Sequence, residues 1–177
     1  AMLEQLLTEN LDDEFVFIWA SVGDLSHQSY LKLKYAYLPD SEYDFQELEN
    51  LPAEALAKNT VLFCNWEKMF RRGKETDDEG NQVEIFTNVF VRSGEDGRNL
   101  QEVLEKTREA GRKIVLIVDE AHKTYLGPNS QRLVQEVIKP DLVIEVSATP
   151  STKFEQGYYE NNTGRYVKVP IRDVIES

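Results

Sequence analysis

Short apolar runs alternate with amphipathic stretches along most of this chain. The first rich run is Phe15, Val16, Phe17, Ile18, Trp19 and Ala20, with the length and composition of a strand buried on both faces. Ser26 then offers a hydroxyl N-cap for a helix reaching about residue 37, stopped by Pro39. Further strands are expected at 60–65, 113–118 and 142–146, with a fifth over 165–169. Helices are expected at 100–110, closed by Gly111, and at 129–139, closed by Pro140. Residues 71–80 read as an acid-rich polar turn and 83–92 as a strand or half of a hairpin, so 71–92 reads as an insertion on the domain edge. This alternation predicts an α/β domain with a mainly parallel sheet.

The 177 residues suffice for one well-buried domain. No apolar run approaches the roughly 20 residues that a membrane helix requires. The start has neither the basic segment nor the apolar stretch of a signal peptide. Cys64 is the only cysteine, which excludes an internal disulfide and a cysteine-based zinc cluster. Its apolar neighbours point to a buried thiol. A cytoplasmic protein off the membrane is the expectation. With 20 basic against 32 acidic residues the net charge is -12, so a broad nucleic-acid-binding face is excluded and any contact with a polyanion must be local.

The strongest chemical signal follows the strand at 113–118, where Asp119 and Glu120 stand side by side. Open α/β sheets place their ligands at the carboxyl ends of strands. There one carboxylate can hold hydrated magnesium while its neighbour polarises the water that attacks a γ-phosphate. Alone, such a pair is as often a polar turn after a core strand. One helix and one strand later come Ser147, Ala148, Thr149 and Pro150. Pro150 disfavours a helical conformation at Thr149, so two hydroxyls are presented at a strand end, within reach of a neighbour such as His122.

Together, Asp119-Glu120-Ala121-His122 and Ser147-Ala148-Thr149-Pro150 resemble motifs II and III of superfamily 2 DEAH-type helicases, in the flavour of the R (restriction) subunit of type III restriction enzymes. The resemblance implies a RecA-like, P-loop NTPase-type sheet flanked by helices. It implies an ATP- and Mg2+-dependent helicase or translocase acting on DNA. In that family Asp119 would bind magnesium and Glu120 would activate water, with His122, Ser147 and Thr149 coupling nucleotide state to DNA movement. Residues 17–21 with Leu25 and Gln28 resemble motif Ia, so Ser21, Ser26 and Gln28 become candidate nucleic-acid contacts. Ser21, Ser26 and the amides near Gly23 suit a phosphate at a helix start, which Asp24 would oppose. An ordinary strand-turn-helix fits these residues equally. Asn65 to Lys68 suits a second nucleic-acid loop with Trp66 as a stacking surface, although core packing is the commoner fate of such a Trp. Residues 167–175 resemble the family's exit from the first motor domain.

One part of the family pattern is missing. No G-x-x-x-x-G-K-S/T loop occurs to cradle phosphates. Gly73-Lys74 is followed by Glu75, Lys68 takes the place of the first glycine, and Asp77, Asp78 and Glu79 crowd the position, so it is rejected. Residues 3–11 read as the tail of the helix after that loop. The expectation is therefore an N-terminally truncated first motor domain over 1–177, carrying motifs Ia to III without Walker A. Its implied partners are the missing segment, a second RecA-like domain, DNA and a DNA-methyltransferase (modification) subunit. Alone it is expected to be a weak ATPase. A reading from another class is a non-catalytic RecA-like domain serving as a protein-interaction module. A metal-dependent hydrolase on Asp119, Glu120, His122 and His27 ranks last, because two histidines without a helical H-x-x-x-H pair make a poor zinc site.

Overall fold

The computed structural model describes residues 13–36, 42–76, 80, 82–88, 100–120 and 128–147. The expected fifth strand at 165–169, the helix tail at 3–11 and the exit at 167–175 lie outside these residues.

Five strands form one sheet: β1 (Phe15–Ser21), β2 (Asp44–Glu47), β3 (Thr60–Asn65), β6 (Lys113–Asp119) and β7 (Leu142–Val146). They lie in the order β2-β3-β1-β6-β7, and every pairing is parallel. The fold expected from the alternation of runs is the fold observed. Strand pleating divides the apolar runs between two faces. Val16, Ile18 and Ala20 of β1, Leu62 and Cys64 of β3, and Ile114, Leu116 and Val118 of β6 build one core. The residues between them, Phe15, Phe17, Val61, Phe63, Val115 and Ile117, build the other. Continuous Val/Ile/Leu/Phe runs are what burial on both faces demands.

The first face is covered by α3 (Leu100–Glu109), by α4 (Pro128–Leu133) and by the wider π turn Val134–Ile138 that continues it. On α3, Leu100, Val103, Leu104 and Thr107 are buried, the i, i+3, i+4, i+7 spacing of an amphipathic helix. Thr107 spends its hydroxyl twice, donating to the Val103 carbonyl at 2.7 Å and accepting from the Leu56 amide at 3.0 Å. Gly111 at φ 81° closes the helix as expected. Its amide donates to the Arg108 carbonyl, and the Arg112 amide donates to the Thr107 carbonyl, the two bonds of a Schellman cap. The second face is aromatic: α1 (Leu25–Ala36) lays Tyr30 and Leu33 over Phe17 and Phe63, with Trp19, Tyr43 and Phe45 alongside.

Two local expectations are corrected, and one strand is added. Ser26 is not the N-cap of α1, because the first helical bond runs from the Gln28 amide to the Asp24 carbonyl at 3.1 Å. That places Asp24 at the cap and Ser26 inside the first turn. Residues 71–80 are not simply a turn: β4 (Phe70–Thr76) pairs antiparallel with β5 (Gln82–Asn88) in a separate two-stranded ribbon. The ribbon leaves the body through the one-turn helix α2 (Trp66–Met69). The edge strand β2 had no counterpart in the sequence reading.

Candidate functional site

From β1 the chain passes through α1 to β2, on one side of the sheet. From β6 it passes through α4 to β7, on the other. β1 and β6 are neighbours, so the chain diverges at their carboxyl ends, the position where open parallel sheets form their ligand crevice.

Register fixes which residues meet there. Ser21 is the partner of Asn65 on β3, Ala20 the partner of Val118, and Asp119 the partner of Val146 on β7. Asn65, Ser21, Asp119 and Val146 therefore stand in one row across four strands. Glu120 and Ser147 each follow by one residue, so β6 and β7 bring the pair of acids and the first hydroxyl of the Ser-Ala-Thr-Pro segment to the same edge. Asp119, Glu120 and Ser147 are all partly exposed. His122 and Thr149 lie outside the described residues.

Glu120 adopts φ 53°, the left-handed region that costs a non-glycine residue roughly 1–2 kcal/mol. Among the described residues two other non-glycine residues share it, each at a conventional place. Asn59 (φ 61°) is the residue type most tolerant of that conformation. Lys139 (φ 43°) ends a helix and returns its amide to the Val134 carbonyl at 2.7 Å. Glu120 instead ends a core strand, at the spot where the sequence signal placed chemistry, as strained residues at functional sites do.

The β1 end of the row is built differently. Ser21 is fully buried, and its Oγ has no hydrogen-bond partner among the described residues. Above it, Gly23 turns the chain at φ 54°. A Cβ there would meet nothing within 4 Å, so the glycine answers to backbone conformation and not to crowding. Asn65 Nδ2 donates to the Gly23 carbonyl, tying the β1–α1 loop to the end of β3. Ser26 is half-buried and Gln28 exposed on the first turn of α1. Trp66 is 1% exposed, so it packs in the core and offers no stacking surface.

Farther along the edge, charges are paired. His27 Nδ1 lies 2.7 Å from Glu47 Oε1, and Lys68 donates to Glu49. That bond holds the Glu49 carboxyl below its ordinary range and the Lys68 ammonium above its own. His27 thus faces Glu47 and not the β6 acids. Among the described residues no three His, Cys, Asp or Glu side chains gather to hold a metal ion. These pairs were not legible in the sequence, because their members are 20 and 19 residues apart and share no motif. Gly73 and Lys74 sit in the middle of β4, opposite Ile85 and Glu84. A strand interior cannot wrap a phosphate, which agrees with their rejection as a phosphate loop.

A family model described as type III restriction enzyme, res subunit, matches residues 2–152. Comparison with curated proteins and with solved structures gives no match.

Proposed function

Because this chain belongs to the type III restriction enzyme res-subunit family, a family of helicase-type ATPases, we propose that it is part of the first RecA-like motor domain of an ATP-dependent DNA translocase or helicase. The observation that carries this reading is the position of Asp119 and Glu120 at the carboxyl end of β6, beside the divergence from β1, with Ser147 next along the sheet. Asp119 is the residue to hold magnesium. That ion takes one or two carboxylates and fills its shell with water and phosphate oxygens, so a single strand-end carboxylate fits its donor set. Bound magnesium supplies charge neutralisation on the phosphates.

Glu120 orients and polarises the attacking water. Ser147, with Thr149 and the His122 of the DEAH box, passes nucleotide state toward the DNA-contacting loop. Gln28, Ser26 and the amides around Gly23 face the DNA backbone at the start of α1. Ser21, buried beneath them, supports that loop from inside. Among the described residues no helix is long and apolar enough to cross a membrane, and a cytoplasmic site of action with a methyltransferase partner belongs to the same reading.

The sequence has no phosphate-binding loop. Water activation without phosphate positioning loses most of its benefit, so the chain alone is expected to turn over ATP weakly, with the loop and a second motor domain supplied in the working enzyme. Calorimetric titration with Mg-ATP tests this: absent or millimolar binding is expected. Micromolar binding that Asp119→Ala abolishes would show that another segment already cradles the phosphates. The missing loop also favours a second reading, a non-catalytic interaction module. Salt-dependent DNA binding by the chain separates the two, since the module needs none.

A further inference from the structure

The segment from Asn65 to Lys68 suited a second nucleic-acid loop in the sequence, and the structure gives most of its members other work. Trp66 is 1% exposed and packs in the core with Met69, and Lys68 is bonded to Glu49. Asn65 remains. It ends β3 opposite Ser21, the last residue of β1, and is buried. It follows Phe63 by two positions, so strand alternation puts it on the aromatic face of the sheet, the face that α1 covers.

The loop that leads from β1 into α1 has few restraints of its own. Pairing of β1 with β3 ends at Ser21, and its pairing with β6 ends at Ala20. Val22 packs against the core, but Gly23 and Asp24 are exposed. Two local bonds shape the turn: the Leu25 amide donates to the Val22 carbonyl at 3.2 Å, and the Gln28 amide to the Asp24 carbonyl at 3.1 Å. The bond that comes from another strand is that of Asn65 Nδ2 to the Gly23 carbonyl.

That bond fixes more than one oxygen. The Gly23 carbonyl and the Asp24 amide share a planar trans peptide and point in opposite directions. With the carbonyl held toward the end of β3, the Asp24 amide is turned away from it. This amide has no hydrogen-bond partner among the described residues, and it stands at the start of a 12-residue helix, where amides suit a phosphate. Gly23 adopts φ 54°, and glycine tolerates many backbone orientations. Without Asn65 the peptide plane is therefore free to flip and present an oxygen in place of the N–H.

We propose that Asn65 is the positioning residue of the β1–α1 loop, holding the Gly23 carbonyl so that the Asp24 amide faces a nucleic-acid phosphate. This rests on the nucleic-acid reading of that loop. Asn65 itself touches no nucleotide and acts through the Gly23–Asp24 peptide. The exposed Asp24 carboxylate opposes an anion there, which makes the direction of its amide matter the more.

The test is fluorescence anisotropy of a labelled single-stranded DNA oligonucleotide, titrated with the whole chain at low salt. Asn65→Leu keeps the size of the side chain and removes the donor. It is expected to weaken binding by roughly tenfold, the scale of one hydrogen bond. Asn65→Asp places an acceptor against the carbonyl when ionised and a donor when protonated. Its binding, taken relative to wild type at each pH, should therefore recover as pH falls from about 8 to about 5, since burial raises a carboxyl's pKa. Asn65→Leu should show no such recovery. Should Asn65→Leu lose its far-UV circular dichroism, the pH dependence of Asn65→Asp decides alone. Weakened binding by Asn65→Asp that acid does not restore overturns the proposal. If both Asn65 variants bind as wild type does while Gln28→Ala weakens binding, the positioning role falls and the loop reading stands. If wild type does not bind at low salt, both fall.

Discussion

The two ends of the same parallel strands are built to different standards. At the amino end backbone and ionic bonds tie the strand starts together, although the hydroxyl of buried Thr60, at the start of β3, has no partner among the described residues. The Asn59 amide donates to the Phe15 carbonyl, the Lys113 amide to the Glu14 carbonyl and the Asp141 amide to the Ile114 carbonyl, all at 2.8 Å. Asp141 Oδ2 accepts from the Ile114 amide at 2.8 Å, while Arg112 pairs with Glu14 at 3.0 Å and Lys113 with Asp13 at 2.7 Å. At the carboxyl end a buried serine hydroxyl goes without a partner among the described residues and a glutamate sits in a left-handed conformation. The amino end is cross-tied by the bonds between its strand starts. Each end keeps one orphan hydroxyl, but the left-handed residue of the amino end is Asn59, a type that tolerates it, whereas that of the carboxyl end is Glu120, where the conformation is strained.

This contrast can be broken by mutation. Asp141→Ala removes the acceptor for the amide of fully buried Ile114, and should cost about 1–3 kcal/mol in urea unfolding. Glu120→Gly should run the other way, stabilising the chain by about 1 kcal/mol as left-handed strain is relieved, while removing the group proposed to activate water. If both variants destabilise alike, the two ends do not differ as described.

The smallest effect concerns Lys68 and Glu49. Because Lys68 lowers the Glu49 pKa, the pair's contribution is present above the ordinary value of 4.5 and fades as pH falls through the lower folded value. Lys68 itself is raised, so its own contribution persists up to 10.5 and is lost as pH climbs past its folded value. Both side chains are more than half exposed, which limits the pair to a few tenths of a kcal/mol. Lys68→Ala should flatten the acid limb of the stability–pH profile by no more than that, measured by thermal unfolding between about pH 3 and 6.

What the sequence disclosed follows the same physics. β3 and β7 were legible to the residue, because continuous apolar runs have few other uses in a chain of this polarity. Gly111 was legible as a cap because its place after an amphipathic helix requires positive φ. β2 was not: Asp44, Phe45, Gln46 and Glu47 carry a single apolar side chain, and their strand exists by pairing with β3. β4 escaped because Arg71, Arg72, Gly73 and Lys74 read as loop, and only cross-strand partners make them a strand. Ser26 and Asp24 are both competent caps two residues apart, and the turn at Gly23 decides between them. At the site, the adjacency of Asp119 and Glu120 was written in the chain. Their alignment with Ser21, Asn65 and Ser147 needed the register.

Cys64 lies on β3 with no exposed surface, and burial pushes its thiol pKa far upward. A thiol-directed reagent can therefore reach it only when the central sheet opens, because the thiolate is the reactive form. As the sole cysteine, it gives the protein an internal clock for that opening. Its labelling rate, followed in the untouched chain, reads how often the scaffold beneath the candidate site comes apart.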